Sequence, residues 1–355
     1  SDESLMDLCS FEIPEEDSGP TWTERSKKLF AFRAALDDWM HENGGLGIID
    51  HSSRDHGILR VPRGAQPDDP EMRKLPAITM ATEQYNRLVR LAEAGDEVEI
   101  EVEIEARFHG NRDSEAFNTL AEIPGRGKKN EVVMVGAHLD SYHAGTGATD
   151  NAAGCAVMME AVRILQTIDA RPERTIRIAL WSGEEQGLLG SEAWVRQHLA
   201  TRPAPTDSAT LAGPRTYWQY EGPLTPGAEY ERVSVYFNFD NGGGRIRGIH
   251  TEGNVAVVPF FRAVFGPLAD LGTNTVSTND TGGTDHMSFD RVGVPGFQFI
   301  QDQLDYWPRT HHTHLDTYDH LQREDLMQAA VIVASLALHA ANREELLPRK
   351  PVDAD

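Results

Sequence analysis

The sequence is poor in cysteine, poor in positive charge, and without a long apolar run. Two cysteines, Cys9 and Cys155, cannot make a disulfide framework, so stability has to come from a packed core. Cys155 lies in the apolar stretch 152–159 and reads as a small buried hydrophobe. No uninterrupted apolar stretch reaches the ~18 residues that a membrane-spanning helix needs. No signal peptide is visible, and the opening Ser1-Asp2-Glu3 fits a processed or trimmed product. Lys and Arg number 33 against 56 Asp and Glu, a formal net charge of -23. That balance argues against nucleic acid or an anionic membrane as a partner. It favours solubility in a salty or extracellular setting. With 39% hydrophobic and 25% charged residues, disorder is not the expectation for this chain. Its 355 residues suffice for one large core with a smaller satellite unit.

Residues 1–95 read as that satellite, a small α/β or β-rich unit. A helical pattern over 22–43, carried by Leu29, Phe30, Phe32, Leu36, Trp39 and Met40, ends at Asn43-Gly44-Gly45. An apolar run at 46–49 and another at 75–80 read as strands, with polar loops between. Thr82 is placed to cap a helix that runs to Ala94 and stops at Gly95. Residues 97–108 alternate strictly, Val98, Ile100, Val102 and Ile104 against Glu99, Glu101, Glu103 and Glu105. This predicts a strand with one buried face and a solvated acidic one. A turn at 110–113 would pair it with 117–123 as a hairpin. From Glu131 onward, apolar strands (132–137, 175–181, 233–239, 296–300) alternate with amphipathic helices (152–168, 191–199, 255–265, 324–341). That pattern predicts an α/β fold, with helices on both faces of a central sheet. Residues 201–230, rich in Pro, Thr and Gly, read as an excursion, and 349–355 as a tail.

Metal-capable side chains cluster just past the C-terminal ends of these strands, the edge where open α/β sheets build their sites. The first strand runs into His138-Leu139-Asp140, the second into Glu184-Glu185, and the third into Asp240-Asn241-Gly242. The fourth leads on to His311-His312. A loop ending in Asp150-Asn151 lies between the first two. Each has an ordinary explanation taken alone: a packed histidine, a solvated Glu pair, a helix cap at Asp150, a turn at Asp240. Their convergence on one edge is what accidents do not produce. Imidazole with carboxylate, and no thiolate beside them, is a ligand set for borderline divalent cations.

The motifs Gly136-Ala137-His138-Leu139-Asp140-Ser141, Ala148-Thr149-Asp150-Asn151-Ala152-Ala153-Gly154 and Trp181-Ser182-Gly183-Glu184-Glu185-Gln186-Gly187 resemble those of the di-zinc exopeptidases. So do Asn238-Phe239-Asp240, Gly283-Thr284-Asp285-His286, and the ending His312-Thr313…Asp316-Thr317. That family includes bacterial secreted aminopeptidases, plasma glutamate carboxypeptidase and membrane glutamate carboxypeptidase. The resemblance covers about residues 97–348. It implies a catalytic domain over 96–348, with the mixed, mostly parallel sheet of the phosphorylase/hydrolase-like zinc exopeptidases. Residues 1–95 resemble, more weakly, part of the family's protease-associated insert. Relatives carry more chain upstream, so the insert's opening strands and the catalytic domain's first helix are expected to be missing here.

By resemblance, His138 and Asp240 hold one zinc, Glu185 and His312 the other, and Asp150 bridges them, with Mn or Co as substitutes. The implied chemistry is a two-zinc, bridging-water hydrolysis with Glu184 as general base. Asp140 is the acceptor expected for the other ring N–H of His138. His311 is a candidate for stabilising the oxyanion, Asp285 and His286 are candidates for support or substrate contact, and the Asp150–Asn151 peptide is expected to be cis. The implied activity is removal of a terminal residue from peptides, with an aminopeptidase preferred. A carboxypeptidase or dipeptidase on the same site is the alternative, with Arg245, Arg247 or Arg309 as carboxylate partners. A single-zinc acyltransferase that cyclises N-terminal glutamine, and a non-catalytic receptor-like relative, are further alternatives. Location is expected to be secreted or periplasmic, as in relatives, and a homo-oligomer is left open.

Overall fold

The computed structural model describes residues 22–61, 75–105, 115–211, 213, 215–218, 220 and 222–350. Its strands, in chain order, are β1 (Ile48–His51), β2 (Ala77–Met80), β3 (Thr119–Ile123), β4 (Lys128–His138), β5 (Arg174–Trp181), β6 (Ala200–Thr201), β7 (Thr225–Pro226), β8 (Val233–Asn238), β9 (Ile246–His250), β10 (Thr275–Ser277) and β11 (Gly296–Gln301). β1 and β2 form a parallel pair, and β6 and β7 a short antiparallel clip within the excursion. The remaining seven make one sheet in the order β10-β9-β11-β8-β4-β5-β3. Its centre, β11-β8-β4-β5, is parallel, β3 is an antiparallel edge, and β9 runs antiparallel to β11.

The alternation of β4 explains the two covered faces. Val133, Val135 and Ala137 point into a core shared with the helices Ala153–Thr167 and Arg323–Asn342. Val132 and Met134 point the other way, onto Trp181, Trp194, Tyr236 and Phe289. Strands buried on both faces need apolar residues at consecutive positions, which is how 132–137 and 233–239 read in the sequence. Each such side chain contributes about 1.5–3 kcal/mol by leaving water. The helix Arg323–Asn342 is long and apolar enough to cross a membrane by length and composition, but it lies mostly buried against the sheet.

Several expectations are corrected. The predicted helix 255–265 is split, with one tight turn at Val255–Val257 and an α-helix at Val258–Phe265. Pro259 causes this, since a residue without an N–H fits only the first turn of an α-helix. Thr82 is the first residue of the helix Thr82–Glu93 rather than its cap. Its hydroxyl is drawn away, donating to the carbonyls of Ser52 (2.6 Å) and Arg54 (3.0 Å). Residues 97–105 form no strand, and Ile100, Val102 and Ile104 are exposed. A strand needs a neighbour for its amides, and β3, the expected hairpin partner, pairs with β5 instead. The turn expected at 110–113 and Cys9 lie outside the described residues. β9 and β10 went unforeseen because Arg247, His250 and a length of three residues in β10 blur their pattern.

Gly136 shows how tightly the sheet is set beneath the site. A methyl group there would sit 2.5 Å from the Ala179 carbonyl oxygen and 2.8 Å from the Tyr236 hydroxyl. Gly136→Ala is therefore expected to cost about 1–3 kcal/mol, read as a lower denaturation midpoint with an unchanged slope. A midpoint equal to that of the parent would show that the strand spacing has slack.

Candidate metal centre

Parallel register brings the key side chains together. Gly136 pairs with Asn238, so His138 and Asp240, each two residues further on, leave the sheet side by side. His138 itself pairs with Trp181, and the chain beyond Trp181 turns through Gly183 to Glu184 and Glu185. Asp240 is steadied from below by a buried relay. Trp181 donates to the Tyr236 hydroxyl (2.8 Å), and Tyr236 to Asn238 Oδ1 (2.6 Å). Asn238 donates to Gln298 Oε1 (2.8 Å), and Gln298 to the Asp240 carbonyl (2.9 Å). Every member has a partner, the condition under which a buried polar network rigidifies its surroundings.

All five expected ligands meet here. His138 Nε2 lies 3.3 Å from Asp150 Oδ1 and 3.5 Å from Asp240 Oδ2. His312 Nε2 lies 3.4 Å from Asp150 Oδ2 and 3.0 Å from Glu185 Oε2. Asp150 thus turns one oxygen to each histidine. Glu184 Oε2 stands 4.0 Å from His138 Nε2. Among the described residues, donor atoms close enough to share a cation form three overlapping groups: His138 with Asp150 and Asp240, His138 with Glu184 and Glu185, and Asp150 with His311 and His312.

Asp150 is free for this use because the capping expected of it is done by Asn151. Asn151 Oδ1 accepts from the Gly154 amide (3.0 Å), and its Nδ2 donates to the Phe239 carbonyl (2.8 Å). The Asp150–Asn151 peptide is cis. Asp316 holds the Asp150 loop from behind, accepting from the amide and hydroxyl of Thr149 (2.7 and 2.8 Å) and from the Asp150 amide (3.0 Å). Tyr306 donates to Asp150 Oδ2 (3.0 Å). Asp140 meets His138 through its backbone: Nδ1 is 2.9 Å from the Asp140 carbonyl oxygen and 3.6 Å from the carboxylate. The Asp140 carboxylate instead accepts from the amides of Glu184 and Glu185, both at 3.1 Å, and so shapes the turn that carries them.

The electrostatics favour positive charge at the centre. Burial opposes a charged His138, but Asp240 and Glu184 outweigh it and raise the ring's pKa well above its usual value. Burial with neighbouring carboxylates raises Asp150 to about 6 and Glu185 to about 8, and lifts Glu184 well above its ordinary range. Asp240 is also desolvated, yet His138 pulls it down to about 2. His138 Nε2 and Glu185 Oε1 are buried without a hydrogen-bond partner. Orphaned donor atoms among mutually repelling acids are what a bound divalent cation would satisfy, so the residues fit a metal.

The softer candidates are placed differently. His311 packs on His312, with ring centroids 3.8 Å apart, and on Trp307. Asp285 and His286 are fully buried rather than lining an open pocket, and neither Asp285 oxygen has a hydrogen-bond partner. Arg245 and Arg247 are engaged elsewhere, by Asp325 (2.8 Å) and by both oxygens of Asp302 (2.8 and 2.6 Å). Arg309 is exposed. Unforeseen neighbours are Tyr142, whose ring stacks on His312 at 4.1 Å, and Arg60, whose Nη2 lies 3.3 Å from His312 Nδ1. Arg60 and His312 stand 252 positions apart, and no local pattern announces such a contact.

A model described as Peptidase family M28 matches residues 118–337. Carboxypeptidase Q of Rattus norvegicus is 30% identical over 276 residues, 78% of this chain and 52% of the relative. Carboxypeptidase Q of Mus musculus is 28% identical over 306 residues, 86% of this chain and 58% of the relative. Aminopeptidase YwaD of Bacillus subtilis is 25% identical over 231 residues, 61% and 43%. The chain thus spans about half the length of the carboxypeptidase Q relatives. Among solved structures, a Peptidase M28 precursor from Shewanella amazonensis superposes with a TM-score of 0.70 at 25% identity, covering 98% of this chain and 74% of that one. A zinc aminopeptidase from Bacillus subtilis shares the fold, with a TM-score of 0.53 at 19% identity and 92% and 69% coverage.

Two outcomes are expected of this centre. Asp316→Ala leaves the amides of Thr149 and Asp150 unsatisfied, which should cost about 1–3 kcal/mol of stability and weaken metal binding about 10–100-fold by calorimetry. Unchanged metal affinity would free Asp316 from that role. The second outcome concerns pH. Asp150 and Glu185 have folded pKa values above their ordinary ones, so they stabilise at low pH and lose that contribution as pH rises through about 6 and about 8. Added divalent metal displaces their protons, so its rise in Tm should be larger at about pH 8.5 than at about pH 5.5. An equal rise at both would contradict the protonated carboxylates.

Proposed function

The chain belongs to peptidase family M28, and from that premise we propose that it is a metallo-exopeptidase holding two zinc ions. One observation supports this above the rest: the two Asp150 oxygens face two different histidine–carboxylate halves. In this reading His138 and Asp240 hold one ion, Glu185 and His312 the other, and the Asp150 carboxylate lies between them. When bound, the zinc pair would supply acidification of water and polarisation of the scissile carbonyl. Mn or Co ions suit the same donor set.

The protein's own groups do the rest. Glu184 is not needed as a ligand, and its carboxylate is buried facing the cluster. It takes the proton from the attacking water and delivers it to the leaving amine. Asp140 sets the backbone direction of Glu184 and Glu185 through its two amide contacts, so the base and its ligand neighbour point to different tasks. Burial, followed by His312 and Arg60, pushes the pKa of His311 far down. A neutral imidazole there can donate to a developing oxyanion without adding charge. The five ligands, Glu184 and His311 carry the reaction in this reading, with Asp285 and His286 as buried support.

The relatives' names, carboxypeptidase and aminopeptidase, denote opposite ends of a peptide, and both denote removal of a terminal residue. The substrate class is therefore a peptide attacked at one terminus. Leucine p-nitroanilide set against an N-terminally blocked dipeptide separates the two ends. The mechanism itself is checked with Glu184→Gln, expected to retain two zinc ions per chain while turnover falls about 10²–10⁴-fold. A variant that kept most of its activity, or a parent protein with no peptidase activity when zinc-loaded, would overturn the reading.

A further inference from the structure

The acids of the metal cluster have histidines as their only ion-pair partners among the described residues. One guanidinium nevertheless arrives, from the far N-terminal part of the chain. The Ser52 hydroxyl pins a turn over 52–60 by accepting from the Arg54 and Arg60 amides (3.2 and 3.1 Å) and donating to the Ile58 carbonyl (2.6 Å). That turn lies on the metal loop: Arg60 bridges to Thr313 as in an antiparallel pair, and the Leu59 amide donates to His314 Nδ1 (3.2 Å). It delivers Arg60 Nη2 to 3.3 Å from His312 Nδ1, on a ring whose face is covered by Tyr142.

Arg60 is underused where it stands. A guanidinium carries five donors in a planar fork, and an imidazole nitrogen can take one of them. Its Nε is buried without a partner, and no described carboxylate pairs with it. Arg54, close behind, likewise has no acidic partner among the described residues and reaches only Ser53 oxygens there, at 3.4 Å. In a chain of net charge -23, where Arg245 and Arg247 are each matched to an aspartate, this pair stands out. Two acids beside the cluster are poorly placed to greet a free amine. Asp140 is occupied by two amides, and Asp285 is buried beneath.

We infer that Arg60, backed by the charge of Arg54, binds the terminal carboxylate of the substrate, so that the enzyme removes residues from the carboxyl end of short peptides. This rests on the exopeptidase reading and decides the end that reading leaves open, against the aminopeptidase expectation. Arg60 is then a specificity residue supplied by the 52–60 turn, and the planar fork matches a carboxylate in a bidentate pair.

The test uses the whole 355-residue chain, zinc-loaded. In a Glu184→Gln background, calorimetry compares an N-blocked dipeptide bearing a free C-terminal carboxylate with its C-terminal amide. The acid is expected to bind at least about tenfold more tightly, as a charge-assisted pair allows. Adding Arg60→Ala should shrink that preference to about twofold or less, with the amide's affinity and the zinc count unchanged. Arg60→Lys should restore part of it. With Glu184 intact, Arg60→Ala should raise KM for the acid and leave kcat nearly as it was. The inference falls if Arg60→Ala leaves the acid-to-amide ratio unchanged, or if it weakens both ligands equally with loss of zinc, the mark of a structural role. It also falls alone if the parent protein cleaves leucine p-nitroanilide and rejects N-blocked dipeptides. Should the parent cleave neither, the exopeptidase reading falls with it.

Discussion

Four carboxylates, those of Asp150, Glu184, Glu185 and Asp240, are gathered with His138 and His312 where water is scarce, and the mutual repulsion of the acids is the constraint around which the molecule is arranged. Like charges this close cannot all remain ionised unless something positive stands among them. His138 already supplies part of that charge, holding Asp240 down at about 2 while Asp150 and Glu185 are driven up. The surrounding hydrogen bonds prevent the acids from turning away. Asp316 grips the Asp150 loop, the Asp140 carboxylate grips the Glu184–Glu185 turn, and Gln298 grips the backbone of Asp240. Each grip restrains a segment that electrostatics alone would push outward.

Parallel strands make this affordable. Adjacent parallel strands end at one edge, so β4, β5 and β8 bring His138, Glu185 and Asp240 together without long-range design of any loop. The apolar layers on both faces fix the sheet, and the sheet fixes where those residues emerge. The remaining members come from loops and need individual support. Asn151 takes over the helix cap, which leaves the Asp150 carboxylate facing the cluster, and Tyr142 and His311 both pack on His312.

The fold class and the residues that meet at the centre were legible because they are written in local signals: apolar runs, helical spacing, and short polar motifs directly after strands. The outer strands were less so. β10 is three residues long, and the apolar residues of β9 are interleaved with an arginine and a histidine. The alternating segment 97–105 shows the opposite failure, a pattern typical of strands where the described chain offers no pairing partner. Asp140 was recognised as a neighbour of His138, but whether its carbonyl or its carboxylate makes the contact depends on the path of the turn, which spacing does not specify. Arg60 was invisible for a simpler reason. Its relation to His312 exists only once two remote segments have docked.

The two halves of the centre also differ in their mechanical footing. His138 closes the eleven-residue strand β4, and Asp240 lies just beyond β8, so this half is seated on the stiffest part of the molecule. His312 stands on a loop, at a φ of 60°, and that loop is held by side-chain hydrogen bonds and one bridge to Arg60 rather than by a strand. One half takes its position from main-chain pairing and the other from side-chain contacts. Substitution of a partner such as Thr149 therefore bears on the His312 side, whereas the seat of His138 and Asp240 depends on the strands themselves.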